Sequence, residues 1–354
     1  MIQIVCLSHQ PWGKFPSRTQ HLMSRLKEVE ILWFQPAFGP ADRRQPSGRK
    51  VRPHITVYTL PPLRATQSRV PFLVQASWDR AGRFINEVIR RHRFHDVVLW
   101  CTGPRQARLL DRIEYDRLVY DCSADWSELP IEWESALTVQ ADVVFAASPD
   151  LADYLSPCSP NVTLLPNGVN YAMFDQAFPA PNTASFCWVG ALYPDLDLDP
   201  LLYAARQRPD WSFTLIGPVK GGGPHGLDKL QRLPNVHLLG RRAPLDIPEL
   251  LGKHSVCLNL LRDSDAGNGI LPIHLYEYLA TGKPIVSMLW PDQVEKLADV
   301  VYGAHDEREF LRMCQQALTE APGWVTDRRK AYAKQAAWSE RVAVVQRILD
   351  ALSS

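Results

Sequence analysis

Short apolar runs alternate with amphipathic segments along the whole chain. Runs of three to seven apolar residues bounded by polar ones are typical of buried strands, and apolar residues three or four positions apart predict helices at residues 19–27 and 79–91. Strands alternating with helices predict a parallel sheet covered by helices on both faces. The strands predicted in the first half are residues 2–7, 31–34, 55–59, 97–101, 118–120, 143–146 and 162–165.

The same alternation restarts after a proline-bearing connector at residues 176–183. A chain of 354 residues exceeds the size of one ordinary core, so we expect two domains, residues 1–175 and 176–338. Two such α/β domains would face each other across a cleft, with ligands beyond the carboxyl ends of the strands. A last amphipathic helix is expected within residues 339–354. The later strands predicted are residues 186–189, 212–216, 236–239, 256–260 and 284–288.

Composition places the chain among ordinary soluble proteins, with 46% hydrophobic and 22% charged residues. No apolar run approaches the length that a bilayer requires, and the first residues lack the pattern of a signal peptide. The seven cysteines form no CxxC pair and no metal-binding spacing. We therefore expect a cytoplasmic protein in a reducing compartment.

The net charge of +1 conceals an asymmetry between segments. Residues 1–117 hold 20 Lys and Arg against 9 Asp and Glu, whereas residues 118–175 hold 9 acids and no Lys or Arg. The excess is either a solvated face or a surface for anionic lipid or a phosphorylated acceptor. Nucleic acid is not expected, because no binding motif accompanies the charge. The basic clusters are residues 43–44, 49–52 and 90–93.

One segment, residues 270–287, combines a loop, a short helix with one carboxylate, a glycine stop and an apolar strand. In an α/β protein this unit places Glu277 near the carboxyl edge of a sheet, where free N–H groups of the preceding loop can meet an anion. Such N–H groups suit phosphate, and a carboxylate can accept both hydroxyls of a ribose. The pattern therefore favours a nucleotide.

The run P-x-H-L-Y-E-Y-x-A-x-G-K-P at residues 272–284 resembles the donor-binding segment of GT-B nucleotide-sugar glycosyltransferases, notably bacterial enzymes that build cell-surface polysaccharides. The segments LPNGV at 165–169 and WVGAL at 188–192, and a terminal helix after Trp338, are similar to the same family. The resemblance implies two Rossmann-like, doubly wound domains, with acceptor bound by the first and donor by the second. It also implies that the final helix crosses back to the first domain.

The activity implied by the resemblance is metal-independent transfer of a hexose from a nucleoside-diphosphate sugar to a hydroxyl of a saccharide or lipid-linked acceptor, in polysaccharide or glycolipid synthesis. No cofactor is expected. The protein would work in the cytoplasm, with peripheral contact at the inner face of the cell membrane through the basic first domain. Two alternatives stay open, a nucleotide-sugar epimerase and a non-catalytic subunit that binds sugar nucleotides.

The predicted donor site centres on Glu277. Gly190 and Gly217 each follow a predicted strand, where a residue without a side chain lets the backbone approach a pyrophosphate. Arg241 follows another strand and could grip phosphate bidentately. The full set of predicted donor-binding residues is Gly190, Gly217, Arg241, Asn268, Gly269, His274, Leu275 and Glu277.

The chain departs from the family pattern at two positions. His274 stands where lysine is common, so a partly charged imidazole would face the diphosphate and allow a different donor or a pH-sensitive rate. Gly269 stands where many members have an acidic residue, so Asn268 or Asp265 would take over contacts to the sugar hydroxyls. Both departures motivate the non-catalytic alternative.

In the first domain the predicted catalytic base is Asp125, followed by Asp121 and His9, each placed after an apolar strand. An inverting reaction needs such a base within hydrogen-bond reach of the acceptor hydroxyl, and a retaining one does not. Alternatively, Asp125 caps a helix and His9 orients a loop. Lys14 and Arg18 are predicted to meet an anionic acceptor, or else to be surface charges.

Overall fold

The computed structural model describes residues 1–37, 48–63, 71–176, 178, 183–194, 196–261, 269–288 and 297–353. The chain divides into two compact units, Met1–Pro166 with Ser339–Ser354, and Asn167–Trp338. The division lies nine residues before the predicted boundary at 175/176. The reason is a pair of backbone hydrogen bonds, from Val169 to Ala336 at 3.0 Å and from Trp338 to Val169 at 2.9 Å. These bonds tie residues 167–175 to the second unit.

The first unit contains an eight-stranded sheet in the order β3-β4-β2-β1-β5-β6-β7-β8. All neighbours are parallel except β3, which runs antiparallel to β4. The seven predicted strands are confirmed, and β3 is an addition. The strands are β1 Ile2–Leu7, β2 Val29–Gln35, β3 Arg49–Arg52, β4 Ile55–Thr59, β5 Val97–Cys101, β6 Arg117–Cys122, β7 Val143–Ala146 and β8 Val162–Leu164.

Helices of the first unit connect and cover this sheet. The first begins at a capping box, in which the Ser17 side chain accepts the N–H of Gln20 and the Gln20 side chain accepts the N–H of Ser17. The final helix packs buried residues such as Val345 into this unit, and its Gln346 side chain accepts the N–H of Lys27 at 2.9 Å. The helices are Arg18–Met23, Pro71–His92, the 3₁₀ segment Pro104–Arg112, Ile131–Gln140, Pro149–Leu155 and Trp338–Leu352.

The second unit contains six parallel strands in the order β11-β10-β9-β12-β13-β14. Counted from its first strand this is 3-2-1-4-5-6, the order of dinucleotide-binding folds, in which the sheet grows in opposite directions from β9 and β12. The point of reversal is therefore at the carboxyl ends of these two strands. The strands are β9 Ser185–Val189, β10 Ser212–Ile216, β11 Val236–Gly240, β12 Val256–Asn259, β13 Ile285–Met288 and β14 Tyr302–Ala304.

Apolar clusters pack the second sheet. One contains Trp188 and Phe213, and the other contains Tyr278 and Ile285. The helix that carries Glu277 ends at Gly282, whose φ of 73° is the left-handed cap expected of glycine. The helices are Tyr171–Phe174, Asp199–Gln207, Leu227–Leu230, the 3₁₀ segment Pro244–Asp246, Ile247–Gly252, Ile273–Thr281, Glu307–Leu318 and Trp324–Gln335.

Within the described ranges, no helix is both long and apolar enough to span a membrane.

Candidate functional site

The helix Ile273–Thr281 is fastened to both strands at the reversal point of the second sheet. The N–H of Val189, at the end of β9, donates to Tyr278 Oη at 2.7 Å. His274 Nε2 lies 3.1 Å from Oδ1 of Asn259, the last residue of β12. The His274 ring also packs edge-on against Trp188, with the ring centroids 4.7 Å apart. These contacts fix the start of the helix at the place where such folds bind ligands.

The first turn of this helix carries backbone N–H groups at the reversal point. Pro272 is the N-cap and has no N–H, and the N–H groups of Ile273 and His274 have no acceptor among the described residues. The N-terminus of a helix carries a partial positive charge, and unpaired N–H groups there bind phosphate. The geometry therefore suits an anion at the reversal point.

Glu277 lies one turn further along the same helix. Its side chain is half-buried, and its carboxylate has no hydrogen-bond or ion-pair partner in the described part of the chain. Loss of hydration raises the pKa of Glu277 from 4.5 to about 7. A desolvated carboxylate without a partner costs free energy. Such a group is typical of a binding site rather than of a packed core.

Gly190 and Gly217 pack the loops after β9 and β10 against each other. The Gly190 N–H donates to the carbonyl of Ile216 at 2.9 Å, and a Cβ on Gly217 would overlap the Gly190 carbonyl oxygen. A Cβ on Gly190 would lie 2.7 Å from the Trp188 ring. Both glycines are therefore required by close packing, which brings bare backbone to the strand ends.

Several other predicted donor residues are placed differently. Leu275 is 1% exposed and its N–H donates to Pro272, so its side chain belongs to the core rather than to a donor site. Arg241 is exposed and follows β11. Because β10 lies between β11 and β9, Arg241 follows a strand that does not border the reversal point. Gly269, with a φ of 65°, is near the helix start, whereas Asn268 and Asp265 fall outside the described residues.

The sequence predicted a partly charged ring at His274. Burial lowers the pKa of His274 to about 3, which favours the neutral ring at neutral pH. Sequence reasoning also missed two buried polar residues behind this ring. Asn259 contacts His274, and Asn259 Nδ2 donates to Ser287 Oγ at 2.7 Å. A signal was available, because each is a polar residue inside an apolar strand and would need a partner there.

His9 occupies the corresponding place in the first unit, after β1 and beside β5. Its N–H donates to Thr102 Oγ1 at 3.0 Å, and its Nδ1 lies 2.8 Å from the same oxygen. Thr102 donates its hydroxyl hydrogen to Leu7 O at 3.1 Å, and this direction favours the ring form with hydrogen on Nδ1. Nε2 then keeps its lone pair. Burial lowers the pKa of His9, and the nearby charge of Asp121 opposes this shift.

Asp121 and Arg18 form an ion pair inside the first unit. Arg18 is 5% exposed and Asp121 is fully buried, with the Arg18 Nη2 3.0 Å from Asp121 Oδ1. Neither group is therefore open to an acceptor or to its proton, and Arg18 is not a surface charge. Lys14, the other cation predicted for acceptor binding, is exposed.

Asp125 lies in the loop after β6. Its Oδ1 accepts the N–H of Ser127 at 2.8 Å, which closes a local turn rather than a helix cap, because the next helix begins at Ile131. The following residue, Trp126, packs edge-on against His9 with centroids 5.3 Å apart. Asp125 is thus half-buried in the loop beside His9.

Comparison with known proteins agrees with this architecture. Residues 184–320 match the family described as Glycosyl transferases group 1. The chain is 26% identical over 366 aligned residues to TuaH of Bacillus subtilis strain 168, a provisionally assigned teichuronic acid biosynthesis glycosyltransferase, with 89% of this chain and 88% of that protein covered.

Solved structures resemble the whole chain. Sucrose-phosphate synthase from Thermosynechococcus elongatus has a TM-score of 0.74 at 14% identity, with 99% of both chains covered. An Escherichia coli trehalose-6-phosphate protein bound with UDP-2-fluoro glucose has a TM-score of 0.74 at 14% identity, covering 98% of each chain. A UDP-forming trehalose-phosphate synthase from Burkholderia xenovorans, in complex with glucose-6-phosphate, has a TM-score of 0.70 at 14% identity, covering 99% of this chain and 100% of that one. At this identity the likeness establishes the fold.

Proposed function

Because this chain is a glycosyltransferase of the GT-B fold with a group 1 domain over residues 184–320, we propose that it moves a sugar from a nucleoside diphosphate to a hydroxyl acceptor in polysaccharide or glycolipid synthesis. The hydroxyl belongs to a saccharide or to a lipid-linked acceptor. The observation that carries the donor assignment is the Glu277 carboxylate, which has no partner among the described residues and lies one helical turn from the N–H groups at the reversal point.

In the proposed donor complex, Glu277 accepts hydrogen bonds from the ribose hydroxyls. The diphosphate lies at the N–H groups of Ile273 and His274, close to the backbone after β9 and β10. As the bond to the sugar breaks, negative charge grows on the leaving diphosphate, and donors already aimed at it stabilise the transition state. Arg241 is proposed as an additional cation for this charge.

In the proposed acceptor site, His9 Nε2 accepts the proton of the attacking hydroxyl. The hydrogen bonds to Thr102 favour this role, because they orient the ring and leave Nε2 unprotonated. Lys14 meets an anionic group on the acceptor, and Asp125 is the second choice of base. If the reaction inverts the anomeric centre, His9 is the base. If it retains the configuration, the acceptor hydroxyl passes its proton to an oxygen of the leaving phosphate.

We also propose that the reaction needs neither metal nor cofactor, since backbone donors and cations can stabilise the diphosphate. Among the described residues, no group of three or more His, Cys, Asp or Glu is arranged to hold a metal ion. The test is turnover after treatment with a chelator, which is expected to leave the rate unchanged. A rate restored only by added divalent cation would contradict this part of the proposal.

Peripheral membrane contact is proposed for β3. Its residues Arg49, Lys50 and Arg52 are exposed and have no ion-pair partner in the described ranges. By contrast, the basic end of helix Pro71–His92 is partly neutralised, because Arg91 pairs with Glu87 at 2.8 Å. The third basic cluster, residues 43–44, lies outside the described residues. Each cation near an anionic surface contributes about 1 kcal/mol.

Vesicle sedimentation tests this contact. We expect binding to vesicles with anionic lipid and not to neutral ones, and loss of binding when Arg49, Lys50 and Arg52 are all changed to Glu. Changing Arg232 and Lys229, which are exposed in the second unit, is the control. Equal binding by both variants would place the contact elsewhere.

The central experiment is a thermal-shift panel of nucleoside diphosphates and their sugars, followed by product analysis. One nucleobase is expected to stabilise the protein by several degrees, and a new glycoside should form only when an acceptor is present. A new nucleotide sugar formed from donor alone would indicate an epimerase instead. Absence of stabilisation by every nucleotide would contradict the donor assignment.

A further inference from the structure

We propose that His274 is a neutral hydrogen-bond acceptor that binds a hydroxyl or N–H group of the donor, and that Asn259 and Ser287 hold it in this form. It does not act as the cation that neutralises the diphosphate. The inference rests on the proposed donor site in the second unit. It names a specificity-determining residue, His274, and two positioning residues behind it.

The direction of the hydrogen bonds starts from the backbone. The carbonyl oxygen of Met288 can only accept, and Ser287 Oγ donates to it at 3.0 Å. Having given its hydrogen away, Ser287 Oγ accepts from Asn259 Nδ2 at 2.7 Å. The amide is thereby oriented with Oδ1 towards His274. An amide oxygen can only accept, so Nε2 of His274 must carry the hydrogen in their 3.1 Å contact.

This series of hydrogen bonds leaves Nδ1 of His274 with its lone pair. Nδ1 has no hydrogen-bond partner among the described residues. A lone pair repels the oxygens of a phosphate, and it attracts the hydrogen of a hydroxyl or an amide. The ring is therefore suited to a sugar or to the N–H of a substituent on it.

The surroundings of the ring oppose a positive charge. β9 contributes Trp188 and β12 contributes Asn259, neither of which is charged. On its own helix the titratable neighbours are Glu277, one turn away, and Tyr278, whose ring centroid is 5.4 Å from that of His274. Burial dominates, and it lowers the pKa of His274. A lysine at this position would be charged, so His274→Lys converts the site from one chemistry to the other.

Nitrogen NMR of protein labelled at histidine tests the ring directly, because the protonated and bare nitrogens have well-separated shifts. The His274→Asn spectrum assigns the resonance. We expect the neutral form with hydrogen on Nε2 at neutral pH, both alone and with saturating pyrophosphate. An imidazolium signal in either sample, or hydrogen on Nδ1, would overturn the proposal.

Two further variants test the positioning residues. Ser287→Ala removes the acceptor that orients the Asn259 amide, so the amide can turn and a mixture of the two neutral His274 forms should appear. Ser185→Ala removes a buried hydroxyl at the other end of β9 and should leave the ring unchanged. An unchanged ring in both variants would contradict the role of Ser287.

Pyrophosphate affinity gives the functional readout. His274→Lys is expected to bind pyrophosphate at least tenfold more tightly than the unmodified protein, because it adds a cation. An affinity that is unchanged or weaker would contradict the inference. Failure of the proposed function is distinguishable, since no nucleotide would then stabilise the protein, whereas failure here changes only the ring state and the effect of lysine.

Discussion

The Arg18 guanidinium donates two hydrogen bonds to a single oxygen of Asp121, from Nε at 3.1 Å and from Nη2 at 3.0 Å to Oδ1. Both side chains are buried in the first unit, and Arg18 Nη1 and Asp121 Oδ2 have no partner among the described residues. Attraction between the two charges thus offsets their desolvation incompletely. Removing one partner would leave the other buried and uncompensated.

Asp121→Asn is therefore expected to destabilise the protein by about 3–5 kcal/mol, because it leaves the Arg18 charge buried without a counterion. The double variant Arg18→Met with Asp121→Leu should recover most of this loss. Denaturation with urea measures both. The control is Asp210→Asn, which breaks an exposed pair with Arg208 and should leave the midpoint unchanged. Equal effects of the two Asn variants would contradict the importance of burial.

Glu277→Gln is expected to weaken binding of the nucleoside diphosphate by about tenfold to a hundredfold, because hydrogen bonds to a charged group contribute about 1.5–3 kcal/mol. Pyrophosphate has no ribose, so its affinity should stay the same. Isothermal titration measures both ligands. Glu249→Gln, an equivalent change of charge on an exposed helix, is the control. Parallel losses for nucleotide and pyrophosphate would argue against ribose binding by Glu277.

Stability should also depend on pH through Glu277. Its pKa is about 7 in the folded protein and 4.5 ordinarily, so the folded state keeps a proton that the unfolded chain releases between these values. Stability from this group is therefore present below pH 4.5 and is lost as pH rises to about 7. After allowance for partial exposure the loss is about 1–2 kcal/mol.

Urea denaturation of the protein and of Glu277→Gln, at about pH 5 and about pH 8, isolates this contribution. As pH rises, the free energy of unfolding of the variant should increase relative to that of the unmodified protein. A constant difference between the two proteins would show that Glu277 has its ordinary pKa.

Gly217→Ala is expected to destabilise the second unit by about 1–3 kcal/mol, since the new Cβ would overlap the Gly190 carbonyl oxygen. It should also weaken nucleotide binding, because both loops border the donor site. Gly222→Ala is the matched control, since Gly222 also has a positive φ, of 87°, and a Cβ added there would meet no atom within 4 Å. If both variants bind the nucleotide equally tightly, the loops after β9 and β10 do not border the donor site.

His9→Ala tests the base. If the anomeric centre inverts, kcat should fall by about a hundredfold to ten-thousandfold, with nucleotide affinity unchanged because His9 lies in the first unit. His95→Ala, an exposed histidine of the same unit, is the control. An unchanged kcat together with an inverted product would eliminate His9 as the base.

Twelve strands could be predicted from apolar runs. Both faces of these sheets are buried, so consecutive residues of each strand are apolar. β3 could not, since three of its four residues are basic and it lies at the edge of the sheet. β14 was missed as well, because a strand of three residues, Tyr302–Ala304, gives too short a pattern.

The candidate site was predicted in part. The helix with Glu277 and its glycine stop are local features, and they follow from spacing alone. The burial of Arg18 depends on a carboxylate 103 positions away, and the state of His274 depends on Asn259 and Ser287, which lie on two other strands. Such pairings are set by the order of strands in the sheet. A residue's immediate neighbours in the chain do not contain that information.

The edge strand β3 has a consequence for self-association. Its outer backbone groups have no neighbouring strand in the described sheet, and open edges of this kind can pair with another copy of the chain. Any antiparallel approach of a second β3 would bring Arg49, Lys50 and Arg52 against the same cations. Like-charge repulsion therefore opposes edge-to-edge polymerisation, and it should weaken as salt concentration rises.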